Sequence, residues 1–219
     1  MRYLSCKRAV LALGLFVVGV AMASDNPLLK AVRDGQLDQV QALIGQGVDL
    51  NARSLDGSSP LLLATAANQV EIARALIDAG ADVNQKNLIQ DSPYLLAGAS
   101  GRNAILQMTL AHGADLRSTN RYGGTALIPA CERGHVDTVR LLIAAGVDLD
   151  HVNRLGWTCL MEAIVLADGG PAHQQIVAQL IAAGADLNLP DNAGLSPLRQ
   201  AENRGQTAIA KLLRDAGAS

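Results

Sequence analysis

Gly80-Ala81-Asp82-Val83-Asn84, closing an apolar helical run, returns as Gly184-Ala185-Asp186-Leu187-Asn188, and its glycine marks a ruler along the chain. Gly47, Gly80, Gly113 and Gly146 stand thirty-three residues apart, Gly184 follows after thirty-eight, and Gly217 after thirty-three again. A fixed period of that length is the signature of a solenoid, whose units bury their apolar faces only against their neighbours. Upstream of the glycines, Ser59, Ser92, Thr125, Thr158 and Ser196 fall in one column, each before an apolar segment. A hydroxyl there caps the free amides of a helix start. Pro60, Pro93 and Pro197 follow three of them at the first helical position, where the missing N–H costs nothing.

Inside each first helix the packing pairs are Leu61 and Ala64, Tyr94 and Ala97, Leu127 and Ala130, Leu160 and Ala163, Leu198 and Ala201. The alanines allow close helix approach. The second helix of each unit has apolar residues at helical spacing, such as Val136, Val139, Leu142 and Ile143, or Ile176, Val177, Leu180 and Ile181. It ends at the ruler glycine, which suits a left-handed cap.

The column Ser/Thr-Pro-Leu-x-x-Ala, the turn Gly134-His135, and the closing Leu-Leu/Ile-x-x-Gly-Ala-Asp-Val/Leu-Asn together resemble the ankyrin repeat. The resemblance covers six units over residues 24–219, beginning near Asn26, Leu55, Leu88, Asn120, Asn153 and Asp191, the first incomplete. It implies an all-α ankyrin repeat solenoid of helix-turn-helix units with extended connecting loops. Pro129 and Glu162 depart from the pattern by standing in a column that usually holds a buried leucine, and Tyr94 replaces another leucine. Polar residues at both ends, Lys30, Arg33, Asp34 and Gln36, then Arg199, Glu202, Arg204, Lys211 and Arg214, suit terminal repeats that face water.

The chain opens with Arg2, Lys7 and Arg8, an apolar run from Ala9 to Val20, and Ala21-Met22-Ala23. This is the plan of a secretory signal peptide over residues 1–23, cut after Ala23. The run is too short for the ~20 residues of a spanning helix, so the expectation is a periplasmic protein with no membrane attachment after cleavage; a monomer is expected as well. The rest of the chain carries fifteen basic and twenty acidic residues, about −5 in net charge, which argues against nucleic acid. Cys131 and Cys159 remain after the cut, and an oxidising compartment would permit a bond. In the repeat register they lie five helical positions apart on neighbouring helices. Side-by-side axes then put their Cα atoms on the order of 11–12 Å apart, beyond disulfide reach, so two free, buried thiols are expected.

A solenoid leaves a long concave surface free, and its default role is to hold another protein. In ankyrin repeat proteins, partners contact the loop tips and the exposed side of the first helices. Carried onto this register, the resemblance points to Leu88, Ile89 and Asp91, and above all to Arg121, Tyr122, Glu132, Arg133, Arg154, Leu155, Trp157, Val165 and Leu166 in the fourth and fifth units. Trp157 is the single tryptophan, and with Tyr122 and three arginines it forms a mixture that binding hot spots favour. The five extra residues of the fifth unit fall within 166–173. Paired glycines and Pro171 there read as a surface loop ending at His173, beside the same unit.

Catalysis and metal binding find little support. His112, His135, His151 and His173 include no pair at the i, i+4 spacing of a helical zinc site, and the Asp/Asn-rich turns lack a calcium loop. No catalytic residue, cofactor or metal is expected. Glu162 is the exception worth following: a carboxylate in a leucine column is costly unless paired, and it reads either as a perturbed acid or as an acceptor of backbone amides near its helix start. The reading is an exported, non-catalytic interaction module. Some bacterial proteins it resembles are periplasmic and linked to oxidative-stress enzymes such as catalase, which makes support of such an enzyme one specialisation. A secreted effector or toxin-neutralising protein is the alternative, and a metal protein or enzyme acting through Glu162 or His173 a third.

Overall fold

The computed structural model of the protein describes residues 26–219, so the leader read over residues 1–23 lies outside the described residues. The described residues form twelve helices and no strand. In chain order they pair as α1 (Pro27–Arg33) with α2 (Leu37–Gly45), α3 (Pro60–Ala66) with α4 (Val70–Asp78), α5 (Pro93–Ala99) with α6 (Asn103–Ala111), α7 (Leu127–Glu132) with α8 (Val136–Ala144), α9 (Cys159–Val165) with α10 (Pro171–Ala183), and α11 (Pro197–Asn203) with α12 (Thr207–Asp215). The first helices stack on one another in one layer, and the second helices in another. One continuous apolar core runs between them from Leu28 to Leu213. The alanine column is sealed within it: Ala64, Ala97, Ala130, Ala163 and Ala201 have no exposed surface.

The start of each first helix follows from its capping residue, with one exception. Ser59, Ser92, Thr158 and Ser196 accept a hydrogen bond from the backbone N–H three residues on, and their carbonyls accept the next one, from Leu63, Leu96, Glu162 and Gln200. Thr125 does not cap. Its hydroxyl is buried without a partner among the described residues, and α7 begins two residues later. The cause is Pro129, in the column of Leu63, Leu96, Glu162 and Gln200. It has no N–H for the Thr125 carbonyl, and its ring crowds that carbonyl, so the first turn opens.

The units end as the glycine ruler requires. Gly80 takes φ +94°, its N–H bonds the Ile77 carbonyl, and Ala81 N–H bonds Leu76 at 2.9 Å, which closes the helix end and turns the chain outward. One loop residue works against its backbone: Gln90 has φ +66° where Gly57, Gly123, Gly156 and Gly194 stand in the other units.

Two expectations are corrected by the packing. Cys131 and Cys159 form a disulfide with Cα atoms 5.5 Å apart, joining α7 to α9 at full burial. The first helices do not stack in register, as the free-thiol argument assumed. The last turn of one lies against the first turn of the next. The preceding pair of units repeats this contact, where a Cβ added to Gly98 would sit 2.8 Å from the Ala126 Cβ. Gly98 and Ala126 are the register equivalents of Cys131 and Cys159, so the stagger brings exactly that pair of columns together where the sulfurs can bond. The fifth unit's extra residues are not mainly loop, either. They lengthen α10 to 13 residues, against nine in α8, and the short segment before it is pinned by Gln206 Nε2 to the carbonyls of Ile164 and Ala167, both at 2.9 Å.

Candidate partner-binding groove

The finger-like loops between units are built on a side chain. Asn87, Asn120, Asn153 and Asp191 each accept, through Oδ1, the backbone N–H groups two and four residues on; for Asn153 these are Leu155 at 2.9 Å and Trp157 at 3.1 Å. The backbone N–H of the same residue bonds the carbonyl four on, which closes each tip. With each tip shut, the two residues after the Asn or Asp must project. Ile89, Tyr122 and Leu155, thirty-three residues apart, stand 52%, 56% and 50% exposed as an apolar ladder along the finger tips.

Below the third to fifth fingers lies a groove of about 360 Å³. Tyr122, Leu155 and Leu166 rim it, Leu95, Leu96, Ile128 and Pro129 form apolar wall, and Asp91, Arg121, Glu132, Arg133, Asn120, Asn153 and Glu162 supply the polar lining. It forms here because the leucine column has been altered in two successive units. Pro129 presents a short ring in place of a long side chain, and Glu162 a carboxylate.

Glu162 is buried, with 5% of its surface exposed, and Oε1 accepts a 2.7 Å hydrogen bond from Asn153 Nδ2. The donor is thus a loop side chain and not a backbone amide of its own helix start. The next unit uses the same two columns with the chemistry exchanged: Gln200 Nε2 donates to Asp191 Oδ2 at 2.5 Å. Burial pushes the Glu162 carboxyl up to about 7, the nearby Glu132 charge adds to this, and the Asn153 hydrogen bond and Arg133 oppose it. In the fourth unit the pairing is missing, because the Pro129 ring has no polar side-chain atom to offer, and Asn120 Nδ2 has no hydrogen-bond partner among the described residues.

The residues anticipated from sequence divide into three groups. Arg121, Tyr122, Glu132, Arg133, Leu155 and Leu166 line the groove. Arg121 lies over the Tyr122 ring at 4.9 Å and pairs with Asp91 at 3.5 Å, while Arg133 donates to the Ala99 carbonyl at 2.6 Å. Arg154 is spent on stacking the fingers: its guanidinium bonds the Arg121 carbonyl and its N–H the Tyr122 carbonyl. Val165, His173 and Trp157 stand outside the lining. The Val165 carbonyl accepts from Arg204, and His173 Nε2 meets the Glu132 carbonyl at 3.0 Å, tying α10 to the end of α7. Trp157 is half-buried at the root of its finger. Asn120 and Asn153 escaped attention as lining residues, although an Asn or Asp opening every unit from the third onward is a readable signal.

Two other histidines are structural ties: His112 Nδ1 meets the Met108 carbonyl and His151 Nε2 the Gly123 carbonyl. Among the described residues no group of three or more His, Cys, Asp or Glu side chains could hold a metal, and no helix is long and apolar enough to cross a membrane.

Comparison with known proteins agrees with this architecture. The family model of ankyrin repeats (three copies) matches residues 8–87 and 95–191. An ankyrin repeat domain from Acinetobacter baumannii AYE is 56% identical and superposes with a TM-score of 0.86, over 88% of this chain and 98% of that one. The ankyrin repeat protein EF0377 is 43% identical with a TM-score of 0.84, over 86% and 96%. The ankyrin repeat domain of Bcl-3, a member of the IκB family, is 28% identical with a TM-score of 0.81, over 90% and 88%. A 58-residue stretch, 26% of this chain, is 50% identical to the ankyrin repeat protein YahD of Escherichia coli (strain K12) and spans 29% of that protein's length.

Proposed function

Because this chain belongs to the ankyrin repeat family, whose repeats mediate protein–protein binding, we propose that it is an exported, non-catalytic module that holds a partner protein in the groove of its third to fifth units. One observation carries the reading: a recess with a polar floor is ringed by the exposed apolar side chains Tyr122, Leu155 and Leu166. Large exposed apolar residues grouped around a recess mark a contact surface. The aromatic anchor is Tyr122, with Arg121 stacked on it, and Trp157 contributes by fixing its finger.

Export is supported by the leader-like sequence over 1–23 and by the Cys131–Cys159 bond, which persists in an oxidising compartment such as the periplasm. Support of a stress-defence enzyme such as catalase is the narrower form of the proposal, and a secreted effector its alternative. The test is affinity capture from periplasmic extract with the wild-type chain and a Tyr122→Ala, Leu155→Ala double variant as parallel baits. A protein held by the first and lost by the second supports the reading and identifies the partner. Equal retention by both baits refutes the groove, and recovery of the protein from medium without lysis moves the effector alternative ahead.

A further inference from the structure

The groove floor contains more acid than its surroundings neutralise. Three carboxylates, Asp91, Glu132 and Glu162, line it against two guanidiniums. Arg121 is paired with Asp91, and Arg133 is exposed and anchored to the Ala99 carbonyl. The Glu132 carboxylate makes no ion pair or hydrogen bond among the described residues, and Glu162, 95% buried, has a donor on Oε1 only. Its second oxygen is left to the recess, which opens to solvent, so a charged donor entering there can meet it. Asn153 cannot turn to help further, since its Oδ1 already holds the Leu155 and Trp157 amides.

Resting on the partner-binding reading above, we propose that the groove is a subsite for one arginine side chain of the partner protein, whose guanidinium meets Glu132 and Glu162 together. The two carboxylates come from neighbouring first helices, α7 and α9, and a planar group with five donors can reach both. A lysine ammonium is a compact, strongly hydrated point charge and suits this divided site less well. The methylene stem lies against Pro129, Ile128 and Leu155, and the free Asn120 Nδ2 is placed to donate to a carbonyl of the partner's backbone. The volume is at the small end of the roughly 300–1,000 Å³ of ligand pockets, the scale of one side chain. A divalent metal is a poorer occupant, because among the described residues no three His, Cys, Asp or Glu side chains are grouped to ligate one. The bound cation also favours the ionised form of Glu162, so binding releases a proton where that group is otherwise neutral.

The test uses the purified protein with acetyl-Ala-Arg-Ala-amide and its citrulline counterpart, which keeps the shape and loses the charge, followed by amide NMR shifts. The arginine peptide is expected to move the signals of Asn120, Glu132, Asn153 and Glu162 saturably, with an affinity about tenfold or more above citrulline. A Glu132→Gln, Glu162→Gln double variant should lose that preference while its other amide signals stay in place. Equal shifts from both peptides, or an arginine preference that survives in the double variant, overturn the subsite. The captured partner separates the two levels of the argument. If Tyr122→Ala, Leu155→Ala abolishes its binding but the double glutamine variant binds it unchanged, the arginine subsite fails and the interaction module stands. If neither variant alters binding, both fail.

Discussion

Replacing Glu162 by glutamine should stabilise the protein above neutral pH and do little in acid. The buried carboxyl holds its proton to about 7, against an ordinary 4.5. Between those values the folded chain keeps a proton that the unfolded chain releases, so stability falls as pH rises through that window. Below about 4.5 both states are protonated and the group contributes no penalty; above about 7 the penalty is complete. At about 1.4 kcal/mol per tenfold, the difference amounts to about 3 kcal/mol. Glutamine keeps a carbonyl for Asn153 Nδ2 and removes the ionisation.

The assay is urea unfolding of wild-type and Glu162→Gln proteins at pH 5, 6, 7 and 8, followed by far-ultraviolet circular dichroism and by the fluorescence of Trp157, with the disulfide oxidised. The two stabilities should differ by only about 1 kcal/mol at pH 5 and by about 3 kcal/mol in favour of glutamine at pH 8, the latter a shift of roughly 6–12 °C in Tm for a domain of this size. Asp56, Asp191 and Glu202, whose carboxyls are held low by hydrogen bonds, and His135, held low by burial, are common to both proteins and cancel in the difference. Glu132→Gln removes the second cause of the shift and should narrow the gap. Parallel pH profiles for wild type and Glu162→Gln would refute the reasoning, because the carboxyl would then titrate alike folded and unfolded.

Reduction of Cys131–Cys159, or replacement of both by alanine, should cost ~3–4 kcal/mol from the chain-entropy term for a 28-residue separation. Thiol titration of the unfolded, oxidised protein is the check, and two reactive groups from this pair would restore the free-thiol reading. Tyr94→Phe should leave stability unchanged or raise it by about 1 kcal/mol, since the buried hydroxyl has no partner among the described residues; a comparable loss would reveal a hydrogen bond. Gly98→Ala should cost about 1–3 kcal/mol by driving a methyl into Ala126, and unchanged stability would mean that the helices separate easily. Pro129→Leu should stabilise α7 by returning the amide that the Thr125 carbonyl lacks, while filling the groove and weakening partner capture. Gain of stability with capture intact would place the partner elsewhere.

The sequence by itself determined the repeat, because a thirty-three-residue glycine ruler, hydroxyl caps and an alanine column are local requirements of backbone geometry and close packing. Ser59, Ser92, Thr158 and Ser196 cap as their positions demand. Pro129 and Glu162 were visible as departures, since a broken column shows without coordinates. The fold alone decided what those departures make. A recess depends on where two altered side chains from different units come to rest, and the donor to Glu162 lies in a loop nine residues earlier. The disulfide was hidden for the same reason: register places equivalent residues side by side, whereas the stagger of tilted helices places Cys131 against the start of α9. Periodicity encodes what each unit must be, and only the angle at which units stack, set by side-chain packing between them, decides which unlike positions touch.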